Sequence, residues 1–224
     1  MLTSEIVKEY CRSAGAVAAG IAAAGDFDAA PEGYKPTDAL EGCVSVVVMG
    51  APVPQEAVLG DDMLGFIDIR TALNKELKAA AQQVAKQIKA AGYKSRAIGG
   101  MDGKMVNGFT QGPISLKHAA ELAGLGVIGK NYLLTNPEHG NLLWLCAILT
   151  DAELTPDPKL RLDLCGSCSK CAAACPVHAL DTPGCVAKRA CANNMFKQID
   201  KKWEIVCFMC RKVCPHRFGI KEMQ

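Results

Sequence analysis

Nine of the chain's twelve cysteines fall between Cys165 and Cys214, and their spacing is that of a cluster-ligating set. Residues 165–176 read Cys-Gly-Ser-Cys-Ser-Lys-Cys-Ala-Ala-Ala-Cys-Pro, a C-x2-C-x2-C-x3-C-P run; a second, incomplete run is Cys207-Phe-Met-Cys210-Arg-Lys-Val-Cys214-Pro215. Three thiolates at this spacing bind three corners of a [4Fe–4S] cubane, because the loop wraps the cluster and aims backbone N–H groups at its sulfurs. The fourth cysteine of such a run points away and ligates the other cluster. The pairing that follows is Cys165, Cys168, Cys171 and Cys214 for one cluster. The other takes Cys207, Cys210 and Cys175, plus one cysteine from the intervening segment. Cys185 and Cys191 both qualify; Cys191 is preferred because it precedes an expected helix over Ala192–Ile199, although the motif alone does not decide. Zinc is the rival metal, but zinc sites seldom use two C-x2-C-x3-C-P runs. Two clusters mean one-electron chemistry and sensitivity to oxygen.

The formal net charge is +2. An oxidised cluster with its four thiolates subtracts roughly two charges, so two clusters bring the protein to about −2. That is no footprint for nucleic acid. Lys188, Arg189, Lys201, Lys202, Arg211, Lys212 and Arg217 surround the ligands. They read either as a solvated face offsetting cluster charge or as a docking patch for an acidic donor such as a ferredoxin or flavodoxin. No stretch reaches the ~20 apolar residues of a membrane span. The Ala/Gly stretch 14–25 lacks the apolar strength and basic flank of a signal peptide. A cytoplasmic, reducing compartment is expected, with Cys11, Cys43 and Cys146 packing as small hydrophobes.

The elements that must position these cysteines read as follows. Residues 3–14 form a helix capped by Thr3 or Ser4, with Ile6, Val7 and Tyr10 as its apolar face. Ala16–Ile21 is a short strand and Asp26–Glu41 a loop. Val44–Met49 is a β-branched strand buried on both faces. A helix from about Ile69 to Ala91 repeats Leu73, Leu77, Ala80, Val84, Ile88 and Ala91 before Gly92 stops it. Tyr93–Ile98 is a strand, and Gly99–Gly112 shows no period. Ser115 caps a helix over Leu116–Ala123, followed by Gly124-Leu-Gly-Val-Ile-Gly129. Tyr132–Thr135 and Leu142–Thr150 are strands, and Asp151–Asp163 is a linker. Alternating helices and strands through residue 150 indicate an α+β or α/β layer. Two domains are expected, residues 1–154 for cofactor binding and 155–224 as a ferredoxin-like module with two [4Fe–4S] clusters.

The segment SLKHAAELAGLGVIGKNYLLTNPEHGNLLWLCAILTD, residues 115–151, is weakly informative alone; its glycines close a helix rather than open one, unlike a dinucleotide fingerprint. Joined to the cysteine runs, it resembles the epoxyqueuosine reductase and reductive dehalogenase superfamily. There a similar AGLG-x-x-GKN-x-LL run, an NPE-x-G or TPE-x-G turn and a strand ending in LTD precede the same double-cluster module. The resemblance covers roughly residues 66–218. It implies a nitroreductase-like α/β layer holding a corrinoid (cobalamin), or less readily FMN, with the clusters supplying electrons. By position Gly126, Gly129, Lys130 and Asn131 would line the corrinoid side. The sequence also departs from that pattern. Epoxyqueuosine reductases carry an acidic proton donor shortly before this helix; Thr110 matches it here, within Gly108-Phe-Thr-Gln-Gly-Pro113, and Thr is no acid at neutral pH. The tRNA-holding helical extension and a twin-arginine leader have no counterpart in these residues.

Lys117 and His118 are then the adjacent ionisable pair near the expected pocket, and His118 is the side chain suited to titrate near pH 7. Two functions follow. One is an oxidoreductase whose clusters reduce a bound corrinoid, or FMN, acting on an unidentified substrate. The other is a ferredoxin-like carrier that reduces a partner such as a corrinoid protein. A DNA-binding redox sensor is a weaker third, as no basic recognition helix is evident.

Overall fold

A computed structural model of the chain describes residues 1–60, 64–106, 109–182 and 184–220; Gly108 of the quoted Thr110 segment lies outside them. In chain order the elements are α1 (Ser4–Ser13), β1 (Ala18–Ala23), α2 (Pro36–Ala39), β2 (Ser45–Pro52), α3 (Glu56–Leu59), α4 (Phe66–Ala90), β3 (Ser95–Ile98), β4 (Lys104–Val106), β5 (Phe109–Gln111), α5 (Leu116–Leu122), β6 (Val127–Ile128), β7 (Leu134–Thr135), β8 (Leu143–Thr150), α6 (Lys170–Ala173), α7 (Lys188–Met195), β9 (Phe196–Ile199), β10 (Lys202–Ile205) and α8 (Met209–Lys212). The mixture of helix and strand expected from the sequence is present.

The chain forms two compact units that interleave along the sequence. Unit 1 is residues 1–51, 73–126 and 144–160; unit 2 is residues 52–72, 127–143 and 161–224. The division expected at 154/155 falls within the last segment of unit 1. Residues 52–72 and 127–143 join the cysteine-bearing residues in unit 2.

Unit 1 is organised by a four-stranded sheet in the order β1-β2-β8-β3. β1 pairs antiparallel with β2, from Ala18 opposite Gly50 to Ala23 opposite Ser45. β3 pairs antiparallel with β8, from Ser95 opposite Thr150 to Ile98 opposite Ala147. β2 is buried from Ser45 to Gly50 and Val46–Met49 have no accessible surface, so the strand is covered on both faces. α4 supplies Leu77, Ala81, Val84, Ala85 and Ile88 to the core, where they meet Val47, Met49 and Ile148. The sequence stripe ran through Leu73 and Ala80 instead, which are half-buried; Ala81 and Ala85 stand next to Leu77, Val84 and Ile88 at three- and four-residue spacing and pack deeper. In α1, Thr3 Oγ1 accepts the Ile6 N–H, and the inward face is Val7 with Cys11, leaving Ile6 39% exposed.

The expected linker is pinned down. Asp157 accepts the Ile21 N–H on Oδ2 at 2.9 Å and donates its own N–H to the Ile21 carbonyl at 2.8 Å, so it occupies the edge of β1. Lys8 Nζ reaches Asp157 Oδ1 at 2.8 Å. Leu154 N–H donates to Ser45 Oγ at 3.1 Å, and Ala152 and Leu154 are buried. Gly124 ends α5 at φ +71°, and a Cβ there would stand 2.4 Å from the Pro158 carbonyl oxygen. Only glycine tolerates both conditions.

In unit 2 the helix expected over Ala192–Ile199 is corrected. Helix α7 stops at Met195, and Phe196–Ile199 becomes β9, paired with β10 in a hairpin. The turn is Asp200-Lys201, both at positive φ (49° and 66°), the two-residue geometry that matches strand twist. It lacks the Asn-Gly or Asp-Gly signature, so the sequence concealed it.

Candidate metal centre

Two short loops carry the cysteines, and they are built alike. Cys171 is the second residue of α6 and Cys210 the second residue of α8, each a four-residue helix. Four residues on, Cys175 and Cys214 follow, each ahead of a proline that cannot continue the helix. Ala174 N–H caps α6 on Ala172 and Lys170 carbonyls; Val213 N–H caps α8 on Arg211 and Met209 carbonyls in the same way. Cys165 and Cys168 lie on the turn before α6, closed by the Cys168 N–H on the Cys165 carbonyl at 2.7 Å.

The side chains sort into two sets by what each thiol feels. Burial raises the Cys171 pKa, opposed by the Ala172 N–H, and Cys165 and Cys168 add repulsion. Burial likewise raises Cys214, opposed by the His216 N–H, with Cys165, Cys171 and Cys168 adding to it. Cys191 is raised by burial and then by Cys175 and Cys207. Cys210 is pushed up to about 11 by burial; Arg211 opposes this while Cys191, Cys207 and Cys171 reinforce it. Cys165, Cys168, Cys171 and Cys214 line one cavity. Charge on Cys175 or Cys207 is felt at Cys191, and charge on Cys191, Cys207 or Cys171 at Cys210. Cys185, the alternative to Cys191, is exposed on a turn closed by its own N–H on the Thr182 carbonyl at 3.1 Å.

A cavity opens on the first set, lined by all four of its cysteines together with Gly129, Lys130, Asn131, Thr135 and His216. Thiols crowded in this way can ionise together where positive charge lies among them. Among the described residues no three His, Cys, Asp or Glu side chains stand close enough to hold a single ion. A cubane places four irons between its thiolates, so its ligands stand wider apart than those of one metal. Donors to sulfur are in place: Lys130 N–H lies 3.4 Å from Cys165 Sγ, and Ala179 N–H 3.2 Å from Cys175 Sγ.

The Lys130-Asn131 pair braces both loops. Lys130 Nζ donates to the carbonyls of Gly166 at 2.6 Å and Cys168 at 3.1 Å. Asn131 is buried; its Nδ2 donates to the Cys210 carbonyl at 3.2 Å and its Oδ1 accepts the Leu133 N–H at 3.2 Å. Gly129 leaves room for this, since a Cβ there would sit 3.2 Å from Asn131 Oδ1 and 3.5 Å from Cys165 Sγ. Lys130 and Asn131, expected beside a corrinoid, hydrogen-bond to the cysteine loops. Gly126 is buried and ends the middle segment of unit 1.

Two features escaped the sequence reading. His216 Nε2 stands 3.1 Å from the Leu164 carbonyl, tying the second loop to the start of the first; its position directly after Cys214-Pro215 was the available signal. Arg211, counted only as surface charge, donates to the Asn141 carbonyl and is desolvated enough to lower its pKa. Lys117 and His118 belong to unit 1. Ser115 holds the N-cap position of α5 with its Oγ paired to His118 Nδ1 at 2.7 Å, and His118 is exposed. Thr110 lies exposed on β5 with its hydroxyl against Met105 Sδ at 3.5 Å.

No family model matches the chain. It is 32% identical over 189 residues to an epoxyqueuosine reductase of Gloeobacter violaceus, covering 77% of this chain and 54% of that protein. It is 34% identical over 118 residues to the epoxyqueuosine reductase of Bacillus subtilis, covering 48% and 30%. The solved Bacillus subtilis enzyme superposes with a TM-score of 0.68 at 22% identity, over 96% of this chain and 65% of that one. A catabolic reductive dehalogenase gives a TM-score of 0.71 at 22% identity, over 96% and 32%. The fold is thus that of epoxyqueuosine reductases and reductive dehalogenases. The chain's curated relatives are named epoxyqueuosine reductase. The chain spans about half, or less, of the length of those relatives. Among the described residues no helix is long and apolar enough to cross a membrane.

Proposed function

We propose that the chain is an iron–sulfur oxidoreductase holding two [4Fe–4S] clusters and passing single electrons through them to a corrinoid, with FMN as the alternative acceptor. Cys165, Cys168, Cys171 and Cys214 hold one cluster, and Cys175, Cys191, Cys207 and Cys210 the other. The observation that supports this reading is the exchange of fourth cysteines: Cys214 shares a cavity with Cys165, Cys168 and Cys171, whereas Cys175 is outside that lining and its charge is felt at Cys191. A single-metal loop has no reason to send its last ligand to its neighbour. When bound, such clusters supply reversible one-electron storage whose potential is set by hydrogen bonds to sulfur, nearby charge and exposure. The chain's own part is to supply those terms. Lys130 and Ala179 donate N–H groups to sulfur, and the Lys130 ammonium sits on the Gly166 and Cys168 carbonyls. Proton delivery is assigned to His118 beside Lys117, because Thr110 stands where the relatives' acid is expected.

One observation favours a second reading, a carrier that reduces a partner protein. The exposed Thr110 hydroxyl rests against a methionine sulfur rather than beside an acid. Anaerobic preparation with iron, zinc and sulfide analysis, then a visible spectrum with excess cobalamin, separates the possibilities. About eight irons per chain and a reduced, bound cobalamin are expected. Zinc, or far fewer irons, defeats the cluster assignment. Full clusters without cobalamin binding or reduction defeat the corrinoid enzyme and leave the carrier.

A further inference from the structure

The β9–β10 hairpin is rooted in the second cysteine set at both ends. Cys191 lies on α7, whose last residue precedes β9, and Cys207 follows β10 after Val206. The Val206 N–H donates to the Met195 carbonyl at 2.8 Å and closes the base. There Ile205 is buried opposite Phe196. One step outward on the same face, Trp203 pairs with Gln198 and is 61% exposed. Leaving so large an apolar side chain in water forgoes the free energy of its burial.

Exposed cations lie on the hairpin and on α7, and by the strand register Lys197 and Lys202 take the face opposite Trp203. Lys197, Lys201 and Lys202 are exposed on the hairpin itself, and Lys188 and Arg189 are exposed on the first turn of α7. Positive charge at that end opposes the helix dipole, so those two residues do not serve the helix. Of the hairpin's two carboxylates, Glu204 is engaged by the Gly65 N–H at 3.0 Å. An exposed tryptophan on an element that also carries three exposed lysines, joined at both ends to the second cysteine set, offers a partner an aromatic anchor and positive charge for steering.

We propose that this hairpin is the docking surface for an acidic one-electron carrier protein of flavodoxin or ferredoxin chemistry, which delivers electrons to the group held by Cys175, Cys191, Cys207 and Cys210. The inference rests on the two-cluster reading above. Each encounter moves one electron: a flavodoxin hydroquinone anion becomes the neutral semiquinone, no proton transfers, and the cluster core goes from 2+ to 1+. A nucleic acid is the less suitable occupant, because the patch offers one exposed aromatic rather than a row on which successive bases stack.

The test uses the anaerobic holoprotein and photoreduced flavodoxin in a stopped-flow spectrometer across ionic strength, with calorimetric binding of oxidised flavodoxin as a readout without turnover. In the Lys197→Glu/Lys202→Glu variant the low-salt bimolecular rate falls about tenfold and its salt dependence flattens. Trp203→Ala weakens binding with the salt slope retained, and Lys104→Glu on β4 changes nothing. Iron content and reduction by dithionite stay at the unmutated values, showing that the variants are folded. Unchanged rate and salt slope in the double variant overturn the proposal. So do equal losses with dithionite, or the loss of binding to an RNA stem-loop while flavodoxin kinetics persist. Absence of iron from the unmutated protein refutes the cluster reading itself.

Discussion

Asn131→Ala isolates what the Gly129–Asn131 turn does. The Asn131 side chain makes two buried hydrogen bonds, one to the Cys210 carbonyl and one from the Leu133 N–H. The partner types fix the amide orientation, since a carbonyl needs the Nδ2 donor and an N–H needs the Oδ1 acceptor. Removing the side chain strands one acceptor and one donor in a site that is 8% exposed. Each stranded group costs about 1–3 kcal/mol, and water entering the vacated space recovers part of that. The net loss is then about 2–4 kcal/mol, or a fall of roughly 5–15 °C in the thermal midpoint for a chain of this size. The loss falls on the loop carrying Cys207, Cys210 and Cys214. The assay is an anaerobic melt followed at once by far-ultraviolet circular dichroism and by the cluster absorbance, with chelator-driven iron release at fixed temperature. Iron release accelerates, and the cluster signal fades ahead of the helical signal. Asn131→Asp fares no better, because it keeps the acceptor for Leu133 but sets a carboxylate against the Cys210 carbonyl. A variant with unchanged midpoint and iron release refutes the bracing argument and returns Asn131 to the role of a cofactor-lining residue.

Three further outcomes are expected. Cys191→Ser retains about four of eight irons, whereas Cys185→Ser retains all of them and removes the thiol that maleimide labels fastest in the native protein; equal iron contents refute the assignment. Gly124→Ala meets a left-handed backbone and the Pro158 carbonyl together. It loses about 3 kcal/mol, read as a midpoint lower by roughly 10 °C, and a neutral result refutes the pinning of residues 151–160. Cys11 is pushed up to about 12 by burial, with Arg12 opposing. The folded state holds the neutral thiol, so this contribution is whole below pH 9 and is lost as pH rises from 9 toward 12. Cys11→Ala flattens that part of the stability curve, and an unchanged slope refutes it.

How much of this was legible depended on what kind of constraint each residue carried. The cysteine runs stood out because they are defined by the covalent spacing of a few residues, and spacing survives any folding detail. β2 and α4 were legible from apolar period alone. The β9–β10 hairpin was not: its turn is Asp200-Lys201 without glycine, and Lys197, Lys201 and Lys202 hide the strand alternation. The β4–β5 pairing, Lys104 opposite Gln111, lies in a glycine-rich stretch with no period to read. Residues 151–160 read as a linker because they form no helix or strand. What holds them is the Asp157 side chain and the backbone edge of β1, a contact 136 residues distant in sequence.

The glycine-punctuated run illustrates why a domain boundary drawn by composition misplaces function. Gly124 ends α5 and Gly126 is the last residue of its segment in unit 1; Val127 begins the next segment, in unit 2. Within five residues the chain thus leaves one core and enters the other. Gly129, Lys130 and Asn131 are the first polar or flexible residues after that crossing, and their bonds go to Gly166, Cys168 and Cys210. A run that looks like one motif does two jobs. Its first half packs a helix end closely against residues 157 and 158, where only glycine fits. Its second half holds two cysteine loops that lie 35 to 79 residues further along the chain. Substitutions in the first half are therefore read as loss of fold in unit 1, with iron content retained in the molecules that fold. Those in the second half are read as loss of iron before loss of fold.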